Sequence, residues 1–146
     1  MMPSFRCLVP MLLLALLAGC AAGPAPVSEP GEPLSGPVVG PRWNLLLVGT
    51  SERLDLPTTP HFEIAPDGRV SGHDGCNRFS GRVELGPDNR IEFGRLASTR
   101  MACPHQAGAG QVTEMLDRAY RYLIDHDRLV FFGPDQRVLG GFRRAN

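Results

Sequence analysis

The sequence predicts a mainly β domain with one amphipathic helix, of the α+β class, and three observations carry that expectation. Short segments of alternating polar and apolar residues are separated by turns rich in Gly, Pro, Asp and Asn. One stretch alone repeats its apolar residues at helical spacing. At 146 residues the chain is long enough for one ordinary domain and too short for two.

Each element has its own signal. Residues 43–48 form an apolar run suited to a buried strand. Phe62 and Ile64 alternate with polar neighbours, and Pro66-Asp67-Gly68 turns the chain into Arg69-Val70-Ser71-Gly72, a first hairpin. Residues 82–85 and 90–93 alternate on either side of Gly86-Pro87-Asp88-Asn89, a second. Residues 128–132 and 138–142 flank Gly133-Pro134-Asp135-Gln136, a third. Val112, Met115, Leu116, Ala119 and Leu123 share one helix face, with Glu114, Asp117, Arg118 and Arg121 opposite, a stripe that reads as core packing rather than a cofactor box. This helix is expected to begin after Ala107-Gly108-Ala109-Gly110, with Thr113 and Glu114 in its first turn, where acids favour a helix start. Its end is open, because Tyr122-Leu123-Ile124 suits either a last turn or a new strand.

The N-terminus reads as an address. Arg6 precedes an apolar run over residues 8–17, broken by Pro10 and followed by Leu17-Ala18-Gly19-Cys20. The run is short of the roughly 20 apolar residues that a spanning helix needs, so a cleaved secretory signal over residues 1–19 is expected. Leu17-Ala18-Gly19-Cys20 resembles the lipobox of bacterial lipoproteins, which implies acylation of Cys20 with chains such as palmitate and a membrane anchor, since several acyl chains on one residue hold firmly. Ala21 rather than Asp follows the cysteine, which suggests an outer-membrane lipoprotein facing the periplasm. Residues 20–41 then form a linker punctuated by Pro24, Pro26, Pro30, Pro33, Pro37 and Pro41, and the domain occupies residues 42–146.

Fifteen cations, all arginine, balance fifteen acids, so no basic excess exists to grip nucleic acid. No Gly-x-Ser-x-Gly elbow, phosphate loop, His-Glu-x-x-His or dinucleotide fingerprint is present, and no catalytic residue, cofactor or metal is expected. A Ser80, His73 and Asp74 set assembles only on paper, because adjacent His73 and Asp74 point to opposite faces of a strand. His61 and His126 read as lone surface residues near turns.

Two segments, Val70-Ser71-Gly72-His73-Asp74-Gly75-Cys76-Asn77-Arg78-Phe79-Ser80-Gly81 and Leu96-Ala97-Ser98-Thr99-Arg100-Met101-Ala102-Cys103-Pro104, resemble the signature of the META domain family of HslJ-like heat-shock lipoproteins. The motif positions are Gly75, Asn77, Arg78, Ser80 and Gly81 in the first segment and Thr99, Arg100 and Met101 in the second. The resemblance extends more weakly to Trp43, Glu114 and residues 122–142. It implies a compact, antiparallel, barrel-like sheet with one helix, exported by bacteria and associated with stress or antibiotic tolerance. It brings no catalytic residues and no agreed ligand.

The same residues carry physical readings of their own. Gly72, Gly75 and Gly81 suit a sharply bent strand or a close backbone approach, and Asn77 suits a left-handed turn residue that bonds its own turn. Arg78 and Arg100 suit pairing with acids or turn carbonyls, or alternatively a cationic spot for an anion. If Cys7 leaves with the signal and Cys20 is acylated, Cys76 and Cys103 remain, an even pair that in an oxidising compartment points to a disulfide. Two separate thiols, or a zinc site completed by His73 and His105, are the alternatives.

The functional expectation is a lipid-anchored envelope protein that acts without catalysis, through an envelope protein partner, in stress or antibiotic tolerance. Small-molecule or anion binding in a barrel mouth near Arg78 and Arg100 is the first alternative, and it requires a cavity of at least about 300 Å³. Inhibition of a secreted enzyme such as lysozyme is the second, weakened by the absence of any acid in residues 105–110.

Overall fold

Alternation buries one side of each strand and wets the other, so a sheet built from such strands closes its apolar side on itself or on a helix. The computed structural model, which describes residues 36–146, shows both solutions together. The elements are β1 (Arg42–Val48), β2 (His61–Ile64), β3 (Arg69–His73), β4 (Arg78–Gly86), β5 (Arg90–Phe93), β6 (Ala97–Ser98), α1 (Gln106–Arg118), β7 (Arg121–Asp125), β8 (Arg128–Phe132) and β9 (Val138–Arg144).

All pairings are antiparallel, in the order β3-β2-β1-β9-β8-β7-β5-β4-β6, and an added β3–β4 ladder makes the hydrogen bonding ring-like. β4 closes the ring because it is long: its first half pairs with β3 along one edge, while β6 and then β5 pair along the other. The β5–β7 junction is the thinnest, a single Arg90↔Arg121 pair reinforced by main-chain bonds from Ile91 to Tyr120 and from Tyr122 to Asn89.

Inside the ring, Phe62, Phe93, Phe131 and Phe142 pack at centroid separations from 5.0 to 5.9 Å, mostly edge to face. Trp43, Leu129 and Ile91 surround them, and α1 contributes Met115 and Leu116. Among the described residues, side chains therefore fill the ring interior, the space in which the alternative reading, a ligand held inside a barrel, would need a cavity.

Differences from the sequence reading have local causes. α1 starts at Gln106, ahead of the Gly-rich stretch rather than after it, and no acid lies in its first turn. A helical glycine costs about 1 kcal/mol relative to Ala. Here Gly108 leaves room for Leu56, whose Cδ2 would lie 3.2 Å from an added Cβ, and Ala109 is buried. The helix ends at Arg118, so Arg121 and Leu123 belong to β7 and Leu123 is exposed rather than part of the apolar face. The second hairpin begins at Arg78, not Arg82, because β3 supplies partners for the earlier residues. The packed domain also reaches back beyond residue 42. Val38 is fully buried, and its carbonyl accepts the Trp43 indole N–H at 3.1 Å, which anchors a segment that composition alone reads as tether. Residues 1–19, Cys20 and the linker up to residue 35 lie outside the described residues.

Two outcomes follow from this packing. Phe62→Ala removes the ring that touches the other three phenylalanines and is expected to cost about 3–5 kcal/mol in urea unfolding, against less than about 0.5 kcal/mol for exposed Glu92→Ala. In the first hairpin the Arg69 N–H bonds Asp67 Oδ1 at 3.0 Å, and this bond, aided by the Arg69 and Arg82 charges, holds the Asp67 carboxyl below the usual aspartate range. A carboxyl depressed in the folded state stabilises above its unfolded value and loses that contribution as pH falls through its folded value. Asp67→Asn should therefore flatten the fall in stability below about pH 4, as measured by urea titrations from pH 6 to pH 2.5.

Candidate functional site

The segments 70–81 and 96–104 meet at the β3–β4 reversal. Asp74 and Asn77 are the buried polar or charged side chains of the described residues, and both belong to this turn. Asp74 Oδ1 accepts the N–H groups of Cys76 at 2.8 Å and Asn77 at 2.6 Å, and the Asp74 N–H returns to the Asn77 carbonyl at 2.9 Å. Between them Gly75 has φ +101°, which L side chains rarely adopt, and Leu56 occupies the place of a Cβ. Asn77 does not take a left-handed backbone or bond its own turn through its side chain. Instead its Oδ1 crosses to the second segment, accepting the Met101 N–H at 2.7 Å and the Thr99 hydroxyl at 3.2 Å.

Thr99 completes the clasp. Its Oγ1 accepts the Arg78 N–H at 3.0 Å, and its own N–H donates to the Arg78 carbonyl at 2.9 Å. Cys76 and Cys103 are joined by a disulfide with Cα atoms 6.1 Å apart, within the ordinary range. With both sulfurs in that bridge, the separate thiols and the zinc set with His73 and His105 do not form, and among the described residues no group of three or more metal-ligating side chains converges. Gly81 lies close under Leu96, whose Cδ2 would stand 2.8 Å from an added Cβ. Gly75, Asn77, Gly81 and Thr99 thus serve the fold, and Met101 contributes its main chain while its side chain is 62% exposed.

The remaining motif residues face outward. Register fixes this: Phe62↔Gly72 and Gly72↔Phe79 form a row turned to the core, so its neighbours His61↔His73 and His73↔Arg78, and Glu63↔Ser71 and Ser71↔Ser80, form rows on the outer face. These rows line an open groove of about 770 Å³ that also touches Arg42 and Thr99. His61, read from sequence as a lone surface residue, is stacked on His73 with ring centroids 6.2 Å apart and an interplanar angle of 17°.

Hydrogen bonds set the two tautomers. His73 Nδ1 accepts the Gly75 N–H at 3.0 Å, which leaves its proton on Nε2. His61 Nδ1 faces the Thr59 carbonyl at 3.1 Å, which only accepts, so His61 carries its proton on Nδ1. The one acid of the groove, Glu63, is held by Arg42 Nε at 2.6 Å.

Arg78 and Arg100 do not form a shared spot. Arg78 lines the groove, while Arg100 lines a separate hollow of about 420 Å³ with Asp74, Asn77, Arg95 and Gln106, on the other side of Thr99. Among the described residues neither guanidinium bonds a turn carbonyl or an acid, in contrast to the pairing expected from sequence. Ser80 and His73 share the outer face, but the Asp74 carboxylate is turned into the clasp. Sequence reasoning missed Asp74 as the turn's acceptor, and it missed Ser71 and His61 as groove residues. Alternation alone marks Ser71 and His61 as outward, but only the register makes them neighbours.

The clasp is expected to be energetic. Loop closure over the 27-residue separation predicts that the Cys76→Ser plus Cys103→Ser variant is less stable than the oxidised wild type by about 3–4 kcal/mol, and that Asn77→Ala, which strips a buried acceptor from the Met101 N–H, costs about 1–3 kcal/mol. Guanidinium unfolding of both variants beside the wild type measures this.

The profile of the META domain family matches residues 36–146. No curated protein matches the chain. Among solved structures, an NMR structure is similar at 24% identity with TM-score 0.55, covering 70% of this chain and 87% of its own. An NMR structure of a protein from Burkholderia xenovorans is similar at 20% identity with TM-score 0.60, covering 85% and 97%. A crystal structure of a duf4847 family protein from Bacteroides vulgatus is similar at 13% identity with TM-score 0.57, covering 73% and 94%. At these identities the likenesses establish a shared fold.

Proposed function

The chain belongs to the META domain family, and from that membership we propose that it is a lipid-anchored bacterial envelope protein whose domain works by binding another envelope protein under stress or antibiotic challenge. One observation carries the binding reading. The ring interior is packed with phenylalanine and leucine side chains, while the outer face of β2, β3, β4 and β6 presents an open, polar groove of about 770 Å³. A partner must therefore be met on the outside of the sheet, at residues the core does not use.

Anchoring is supported by Leu17-Ala18-Gly19-Cys20 and by the proline-rich segment that follows. An oxidising envelope also suits the Cys76–Cys103 bridge. The family's association with stress tolerance supplies the physiological setting.

The test is crosslinking in intact cells before and after heat or antibiotic stress. Wild type should capture a reproducible envelope protein that the Arg78→Ala variant does not, while Arg100→Ala, outside the groove, still captures it. Capture of nothing by wild type overturns the protein-binding reading, and capture of the same set by Arg78→Ala overturns its placement on the groove. Cys20→Ser in the same cells should abolish incorporation of labelled palmitate and release the protein from the membrane fraction.

A further inference from the structure

Three cross-strand neighbours line up on the outer face, His61↔His73 and His73↔Arg78, spanning roughly 10 Å across β2, β3 and β4 at the usual spacing between strands. Arg78 is exposed, and among the described residues its guanidinium has no hydrogen-bonded or ionic partner. His73 spends Nδ1 on the Gly75 N–H, so Nε2–H is its remaining donor. Ser71 and Ser80, opposite each other in the adjacent row, add two hydroxyls that no protein group engages among the described residues. The single carboxylate of the groove, Glu63, is already neutralised by Arg42. The groove thus presents a permanent positive charge with several unengaged donors and no unpaired acid.

We infer that this groove is a binding site for an oxyanion, a phosphate or carboxylate group, held by Arg78 with the His73 Nε2–H and the hydroxyls of Ser71 and Ser80. Guanidinium is the side chain best matched to such a group, because its planar fork donates two parallel hydrogen bonds to two oxygens. His61 adds selectivity. Its Nδ1 proton is committed to the Thr59 carbonyl, so Nε2 offers a lone pair that accepts an O–H or N–H carried beside the anionic group. The inference rests on the outer face being the working surface, and does not require that the bound group belong to a protein.

Titration of the full chain in detergent micelles with inorganic phosphate, and separately with acetate, followed by amide NMR shifts, tests it. Saturable shifts at Gly72, His73, Arg78 and Ser80 are expected with at least one of the two anions and not with chloride. Tighter binding of phosphate identifies a phosphate-bearing ligand, and tighter binding of acetate a carboxylate. Arg78→Ala should weaken binding about tenfold or more, Arg78→Lys less, and Arg100→Ala by less than about twofold. Unchanged thermal unfolding confirms that the exposed Arg78→Ala variant stays folded. The absence of shifts with both anions, or full affinity in Arg78→Ala, overturns the inference. Anion binding without a crosslinked partner removes only the protein-binding reading, and Arg78-dependent capture without anion binding removes only this one.

Discussion

The β3–β4 reversal is the constraint on which the rest of the molecule depends. A ring of strands needs one strand to serve two neighbours at its closing point, and β4 does so only if the chain turns back immediately after β3. Such a short reversal buries main-chain N–H groups that regular pairing cannot reach, and an unpaired buried donor costs about 1–3 kcal/mol. Asp74 accepts two of them through one oxygen, and Gly75 provides the backbone conformation that brings them together. The disulfide and Asn77 then fasten the turn to the segment that follows β6. Ring closure, the outer groove and the placement of the helix loop all descend from this one fastened corner.

Closure also divides the labour between the two faces of the sheet. Each inward row is apolar and tightly packed, so Phe62 and Phe79 leave space only for glycine at position 72 between them. Each outward row beside it is polar, and there the same register that fills the core sets His61, His73 and Arg78 side by side. Groove and core are two readings of one ladder. A slip of a single residue would exchange them, which is why the glycine matters as much to the groove as to the packing.

The family signature separates along the same line. Asn77, Thr99, Gly75 and Gly81 hold the corner together, and their side chains or lack of one are consumed in doing so. Arg78 and Ser80 are not consumed; they face solvent across the groove. A signature that mixes both kinds of residue therefore marks a fold and a surface at once, and structure is needed to tell them apart.

Much of this protein was legible in its sequence because the relevant physics is local. Period-two alternation and Gly, Pro, Asp and Asn turns specify the three hairpins, the 112–119 stripe specifies a helix, and the signature segments identify the family. Non-local contacts decided the rest. Leu56 packs against Gly108 of the helical Gly-rich stretch, the Trp43 indole bonds the carbonyl of buried Val38, and β3 pairs β4 back to Arg78. The joining of Cys76 to Cys103, the pairing of His61 with His73 and the separation of Arg78 from Arg100 likewise exist only once strand register is set. Sequence spacing determines which face a side chain points from, but which residues stand beside it depends on how distant strands align, and that alignment is settled by the packing of the core as a whole.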